Sequence, residues 1–132
     1  MFIYLLIALG GALGSIARYW LSTTVEIRFN GLFPWGTFLV NLSGCILIGF
    51  FAALPAAGGR PMPPTEMRAF LMIGLCGGYT TFSAFSLQTL NLLRLGDWPR
   101  ASAYVAASVV LCVVGTWLGL RGGTWLFPAS AP

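Results

Sequence analysis

Four long apolar stretches, each about the 20 residues that a helix needs to cross the hydrocarbon core of a bilayer, follow one another along this sequence. Only 8% of the residues are charged, whereas soluble domains carry about 25%. A soluble fold of this size would leave too much apolar surface in water. The sequence therefore predicts an all-α, multi-pass protein of the cell membrane, in contact with lipid.

The polar segments between these stretches set the predicted boundaries. Glu26 and Arg28 mark a loop after the first span, and residues 55–64, rich in proline, glycine and alanine, form the main loop. Pro99 suits the first turn of the last helix. Residues 1–132 then form a single four-helix transmembrane domain. The spans are predicted at residues 2–22, 34–54, 67–95 and 101–120.

The arginines between the spans are balanced across the membrane. Lys/Arg bias in short loops sets the orientation of a membrane protein, and that bias is nearly absent here. We therefore expect insertion in both orientations, which would allow two opposed copies to form an antiparallel homodimer. The side of the termini is predicted to hold Arg60, Arg68 and Arg121, and the other side Arg28, Arg94 and Arg100.

The third span contains a segment with poor helix chemistry. Two adjacent glycines precede two β-branched threonines, so we predict a break near Gly77–Thr81. Non-helical backbone at membrane depth survives only where protein or a water-filled cavity satisfies it. A broken helix offers carbonyls to cations and N–H groups to anions. The glycines alternatively form a packing notch for a neighbouring helix.

Two phenylalanines follow the predicted break. Phe82 and Phe85 lie among Ser83, Ser86 and Gln88, which a lipid-facing surface would not select. The edge of an aromatic ring carries partial positive charge. An anion passing such edges, with hydroxyl and amide donors beside it, would shed water without being trapped by a full charge. The segment therefore predicts an anion pathway.

Further polar side chains lie on the second and fourth spans. Asn41 is costly inside a membrane unless it has a partner, and Thr37 lies one turn before it. Tyr104 and Ser108 share one helix face with Cys112. These groups are either donors to an anion or hydrogen-bonding and packing contacts between helices.

The first span carries a G-x-x-x-G pair at Gly10 and Gly14, which permits close helix approach. Arg18 follows in the same apolar stretch, at a cost of about 2.5–3.5 kcal/mol at mid-membrane and less near an interface. We expect Arg18 either to snorkel or cap carbonyls, or to act as a direct ligand, and it could supply positive potential at a pore mouth.

Catalytic and metal-binding side chains are scarce. The sequence has no histidine, and Glu26, Glu66 and Asp97 are all expected at loop positions, which disfavours a membrane enzyme. The lack of a basic run excludes nucleic-acid binding. The odd number of cysteines and the lack of a C-x-x-C pair indicate small buried residues and not a disulfide framework. These cysteines are Cys45, Cys76 and Cys112.

Three blocks of the sequence resemble the signature blocks of the Fluc family of fluoride channels. They read GGALGSIARY at residues 10–19, GTFLVNLSG at 36–44 and GGYTTFSAFS at 77–86. They occur in the order of the family, and the likeness covers about residues 5–120. Arg18 matches the arginine of the first block, whereas Gln88 stands where the family commonly has glutamate.

The resemblance implies a dual-topology antiparallel homodimer with two pores that export fluoride passively and confer fluoride resistance. It also implies a structural sodium ion at the dimer centre, bound by the backbone carbonyls of Gly77 and Thr80 from both subunits. Cys112 continues a track where a hydroxyl would be the better donor. The implied fluoride pore residues are Phe82, Phe85, Asn41, Tyr104, Ser108, Thr37 and Ser83.

Two other classes of membrane protein have to be weighed. A small multidrug or cation exporter of four spans needs an acid within the first span, and residues 2–22 contain none. A non-transporting assembly protein would use the G-x-x-x-G packing, but it does not explain a donor-lined aromatic face after a helix break.

Overall fold

The computed structural model describes residues 1–29, 31–54 and 65–127, and four of its helical spans are long and apolar enough to cross a membrane. The predictions of an all-α architecture and of four spans are confirmed. The third span, Thr65–Arg94, is built from several segments. In chain order the elements are α1 (Phe2–Phe29), α2 (Trp35–Ala53), α3 (Thr65–Arg68), a π-helical stretch (Ala69–Cys76), α4 (Gly77–Tyr79), α5 (Phe82–Arg94) and α6 (Trp98–Leu126).

Helix α1 is longer than the sequence predicted. The expected loop at Glu26 and Arg28 is wrong, because both residues lie in the last turns of α1, and both are exposed. At a rise of 1.5 Å per residue, a helix of 28 residues is about 42 Å long, which exceeds the core thickness of about 30 Å. The apolar pattern reports the length needed to cross the hydrocarbon core, and a helix of this length can extend beyond it.

Helix α6 also exceeds its predicted bounds, starting at Trp98 and ending at Leu126. Its N-cap is Asp97, whose side chain accepts a hydrogen bond from the backbone N–H of Arg100 and forms a 2.6 Å ion pair with the Arg100 guanidinium. Pro99 lies in the first turn, as predicted. Gly96, with φ +75°, turns the chain between α5 and α6. The predicted loop at 55–64 lies outside the described residues.

Glycines bring helices into backbone contact at two seams. At the first, α1 packs on the first half of the third span: a Cβ at Gly10 would lie 2.6 Å from the Phe70 carbonyl oxygen, and a Cβ at Gly78 would lie 2.5 Å from the Gly11 carbonyl oxygen. The close approach predicted from Gly10 and Gly14 is confirmed. At the second, α2 packs on α6, where a Cβ at Gly119 would meet the Ile46 carbonyl oxygen.

The core of the chain lies between α2, α5 and α6, and most other apolar side chains point outward. Phe85, Leu92 and Tyr104 are buried in one cluster. By contrast, large side chains such as Leu13 and Trp117 are more than half exposed, as expected for surfaces that face lipid or another subunit.

Candidate functional site

The third span is interrupted at two threonines. Thr80 (φ −80°, ψ 156°) and Thr81 (φ −151°, ψ 112°) are extended, between the end of α4 at Tyr79 and the start of α5 at Phe82. The break predicted within Gly77–Thr81 is confirmed. The glycines themselves are helical, and Gly78 serves as a packing notch against α1. The β-branched threonines therefore occupy the non-helical positions.

The backbone N–H and carbonyl of Thr81, which have left the helix, are hydrogen-bonded by Asn41 of α2. Asn41 donates from Nδ2 to the Thr81 carbonyl oxygen at 3.0 Å and accepts from the Thr81 N–H at Oδ1 at 2.8 Å. The Thr81 side chain then caps α5 by accepting from the Ala84 N–H at 3.2 Å. Asn41 therefore replaces the helical hydrogen-bond partners that Thr81 lacks. The second N–H of the Asn41 amide takes no part in these two bonds.

The end of α4 is tied to its neighbours by side-chain hydroxyls. Tyr79 and Ser43 share a hydrogen bond of 2.8 Å, and Ser15 donates to the Gly78 carbonyl oxygen at 3.4 Å. Thr80 donates two hydrogen bonds to the Cys76 carbonyl oxygen, one from its N–H and one from its hydroxyl, each of 2.9 Å. The end of α4 is therefore held by α1 and α2, and Thr80 is held by the π-helical stretch of its own span.

A groove of about 410 Å³ opens beside the break, between α2, α5 and α6. It brings together four of the predicted pore residues: Asn41, Phe82, Phe85 and Ser108. The lining is mostly apolar with a few hydroxyl, thiol and amide groups, which suits a small ligand that is oriented by few polar contacts. The other lining residues are Cys45, Ile48, Thr80, Thr81, Val109, Cys112 and Val113.

Two phenylalanines form one wall of the groove. The ring centroids of Phe82 and Phe85 are 5.3 Å apart, and the next ring, that of Tyr104, lies 5.1 Å from Phe85. Phe85 is 9% exposed and Phe82 is 77% exposed. The wall therefore runs from the protein core to an outer surface, and the groove is open on the side of Phe82.

Ser108 contributes a polar atom without a protein partner. The residue is 8% exposed, and its Oγ has no hydrogen-bond partner among the described residues. Burying a hydroxyl in this state costs roughly 1–3 kcal/mol in proteins. Each such group in a native structure calls for an explanation, and a hydrogen bond to a water or an ion is one of them.

The remaining predicted pore residues lie outside the groove. Tyr104 is fully buried and donates from its hydroxyl to Oε1 of Gln88 at 3.0 Å. Thr37 is buried and lines a second cavity of about 230 Å³, whose lining also includes Arg18. Ser83 is exposed, and its hydroxyl lies 3.2 Å from Oγ1 of Thr81. Of these three residues only Thr37 lines a cavity, and Thr81 lines both that cavity and the groove, whereas Tyr104 and Ser83 line neither.

The two residues that the resemblance implies as sodium ligands flank α4. Gly77 is its first residue and Thr80 follows its last, and carbonyls at a helix end lack intrahelical partners and carry partial negative charge. Carbonyl oxygens at such helix ends coordinate sodium in membrane transporters. No cluster of three His, Cys, Asp or Glu side chains that could hold a metal occurs in the described part of the chain.

Sequence reasoning missed one side of the groove. Cys45 and Ile48 lie one and two turns after Asn41, and they line the same surface. Their i, i+4, i+7 spacing from Asn41 was the available signal. Two hydroxyls beside the phenylalanines were also ambiguous in sequence: Ser86 and Thr89 bond the carbonyls of their own helix, at Phe82 and Phe85.

Comparison with known proteins agrees with this architecture. A family model described as CrcB-like protein, Camphor Resistance (CrcB), matches residues 5–120. A curated protein of Opitutus terrae named fluoride-specific ion channel FluC is 56% identical over 119 residues, covering 90% of both chains. Proteins of the same name from Methylocella silvestris and Rhodospirillum rubrum are 54% and 53% identical, over 88% and 90% of this chain and 88% and 92% of their own.

These matches span nearly all of the membrane domain and include all three blocks on which the resemblance to the Fluc family rested. The chain therefore belongs to the CrcB-like family.

Proposed function

We propose that this chain is one subunit of an antiparallel homodimeric channel that lets fluoride leave the cell passively. Relatives at 53–56% identity are named as fluoride-specific ion channels, and they cover about nine-tenths of this chain. The protein is then a channel and not an enzyme. Export by this route would protect the cell against fluoride.

The observation that carries the proposal is the Ser108 hydroxyl beside the aromatic wall. It is a buried donor with no protein partner among the described residues, in a groove that also holds Phe82 and Phe85. Fluoride accepts hydrogen bonds strongly, and ring edges offer it further positive potential. The groove therefore replaces part of the hydration shell without a fixed positive charge that would hold the ion.

The open side of the groove supports assembly with a second copy. Phe82 is 77% exposed, so a single chain leaves one face of the pathway uncovered. In an antiparallel dimer, the second subunit would cover this face, and the first subunit would cover the equivalent face of the second. A two-fold dimer then contains two equivalent pores, because a symmetric interface repeats every contact.

The break also fits a structural sodium ion at the centre of such a dimer. Gly77 lies in the last helical turn before the break and Thr80 directly follows it, at a helix end where partial negative charge favours a cation. Two copies would double the number of oxygen ligands. When bound, sodium supplies a fixed positive charge that holds the two breaks together.

A rival exporter mechanism lacks its essential group. Export coupled to protons uses an acid buried in the membrane. The sequence of α1 contains a single acid, Glu26, which is exposed in the last turns of the helix.

Efflux from liposomes tests the proposed function. Purified protein would be reconstituted and the loss of internal fluoride followed with an electrode, with chloride as the parallel anion. Phe82→Ile and Phe85→Ile remove the ring edges and should cut fluoride flux while dimers persist. Phe2→Ile, at an exposed position far along the sequence from the break, is the matched control. Unchanged flux in both groove variants would refute the aromatic pathway, and no fluoride flux from folded dimers would refute the channel.

A further inference from the structure

Two thiols lie next to each other in the groove, and the channel activity gives them no role. Cys45 of α2 and Cys112 of α6 both line the groove, both are half-buried, and both are free thiols. They are therefore a pair facing one space and not two isolated cysteines.

The tight seam between α2 and α6 fixes this pairing. A Cβ at Gly115 would lie 3.1 Å from Leu42 and 3.2 Å from Ile46, the residues three before and one after Cys45. One turn further along, Gly49 of α2 meets the backbone of Thr116, whose hydroxyl donates to the Cys112 carbonyl oxygen at 3.0 Å. Gly49 and Thr116 approach each other backbone to backbone, and Cys45 and Cys112 each lie four residues before this contact, so the packing of the two helices places both cysteines at the same level of the seam.

We propose that Cys45 and Cys112 form a two-thiolate site for a soft divalent cation that prefers linear coordination, of which the mercuric ion is the type. Thiolates are soft ligands and select soft metals, and a metal deprotonates the thiols that bind it. Binding breaks two S–H bonds, forms two S–Hg bonds and releases two protons to water. No electron is transferred.

Charge balance favours two thiolates over one. Two thiolates and one divalent cation give a neutral complex, whereas a single thiolate would leave a net positive charge in the low-dielectric groove. An uncompensated charge inside a membrane is costly. The third cysteine, Cys76, is buried outside the groove lining and does not join the pair.

The position of the pair predicts a functional consequence that rests on the proposed function. Cys112 lies one turn after Ser108, and Cys45 lies one turn after Asn41, all on the groove wall. A metal held between the thiols would narrow the groove next to its unpartnered hydroxyl. Occupation of the site should therefore block fluoride flux.

Metal retention tests the site without reference to transport. Unmutated dimers in detergent would be loaded with mercuric nitrate and challenged with excess monothiol, and bound mercury per chain measured. We expect one mercury per chain and joint protection of Cys45 and Cys112 from alkylation. In Cys45→Ala and Cys112→Ala, mercury should be displaced by roughly 100-fold less monothiol, because loss of the second ligand removes the effective-concentration gain of 10²–10⁴. Cys76→Ala is the matched control and should retain mercury.

Fluoride efflux in chloride-free buffer gives the second readout, with each variant referred to its own uninhibited flux. Block in the unmutated protein and in Cys76→Ala, but not in the other two variants, would support the proposal. Equal retention in Cys45→Ala or Cys112→Ala would overturn the two-thiolate site, and retention without block would overturn its place in the conduction path. If the protein conducts no fluoride at all, the proposed function fails, while the retention result still decides the metal site.

Discussion

The Ser108 hydroxyl separates a role in transport from a role in stability. Alanine has nearly the same shape and removes an unsatisfied polar atom, so Ser108→Ala should leave the unfolding midpoint unchanged or raise it. A hydrogen bond to a charged partner contributes about 1.5–3 kcal/mol, and its loss should lower fluoride flux about tenfold or more. Liposome efflux and thermal unfolding measure the two effects.

Ser102→Ala is the matched control for this substitution, because Ser102 lies on the same helix and is exposed. It should change neither flux nor stability. A Ser108→Ala variant that conducts at the unmutated rate would show that this hydroxyl does not contact the permeating ion.

Asn41 is expected to contribute to stability as well as to the groove. Asn41→Ala leaves both the N–H and the carbonyl of Thr81 without their partner. Each unsatisfied group costs about 1–3 kcal/mol, so the variant should lose about 2–6 kcal/mol of stability. Unfolding of the detergent-solubilised protein would measure the loss. Asn91→Ala, at an exposed position on α5, should have little effect, and equal stability of the two variants would contradict the role of Asn41 at the break.

Among the helices, the seam between α2 and α6 allows a paired test of backbone contact. A Cβ at Gly119 would collide with the Ile46 carbonyl, whereas a Cβ at Gly122 has nothing within 4 Å. Gly119→Ala should therefore destabilise the fold, by about 1–3 kcal/mol for an overpacked site. Gly122→Ala should be neutral or gain up to about 1 kcal/mol from helix propensity. Unfolding midpoints of the two variants would check this, and equal midpoints would mean that the seam relaxes freely.

The observed helices show which features of the fold the sequence could predict. The lengths of the apolar stretches located all four spans, because a helix needs about 20 apolar residues to cross the hydrocarbon core. They could not place the ends of α1 and α6, because a helix can continue past that core. The poor helix chemistry of residues 77–81 located the break, yet not which residues leave the helix. That choice depends on tertiary contacts: Gly78 stays helical against Gly11, and Asn41 receives the extended Thr81.

The candidate site was predictable in part, for the same reason. Phe82, Phe85 and Ser108 were identified from residue type and helical spacing, which are local properties. The separation of Thr37 and Tyr104 from the groove, and the meeting of Cys45 with Cys112, depend on how α2 and α6 are aligned along their shared seam. No pattern within one helix encodes that alignment.

For the assembled protein, the balance of arginines gives a test of dual orientation. Arg28→Gln with Arg94→Gln should favour one orientation, and Arg68→Gln with Arg121→Gln the other, because Lys/Arg bias directs insertion. All four side chains are exposed. Reporter fusions at the C-terminus would give the orientation. Each double variant alone should lose fluoride flux, and co-expression of the two should restore it. Full flux from either variant alone, once its single orientation is established, would refute an antiparallel dimer.

The two extended threonines limit how mutation can alter the charge at the break. At this point one helix ends and another begins. Backbone carbonyls with partial negative charge lie at the end of α4, and backbone N–H groups with partial positive charge lie at the start of α5. These partial charges belong to peptide groups, so acid cannot neutralise them and exchange of a side chain cannot delete them. Mutation can remove them only by making the span continuous. Such a helix would lose the partial charges of both signs at this point in a single step.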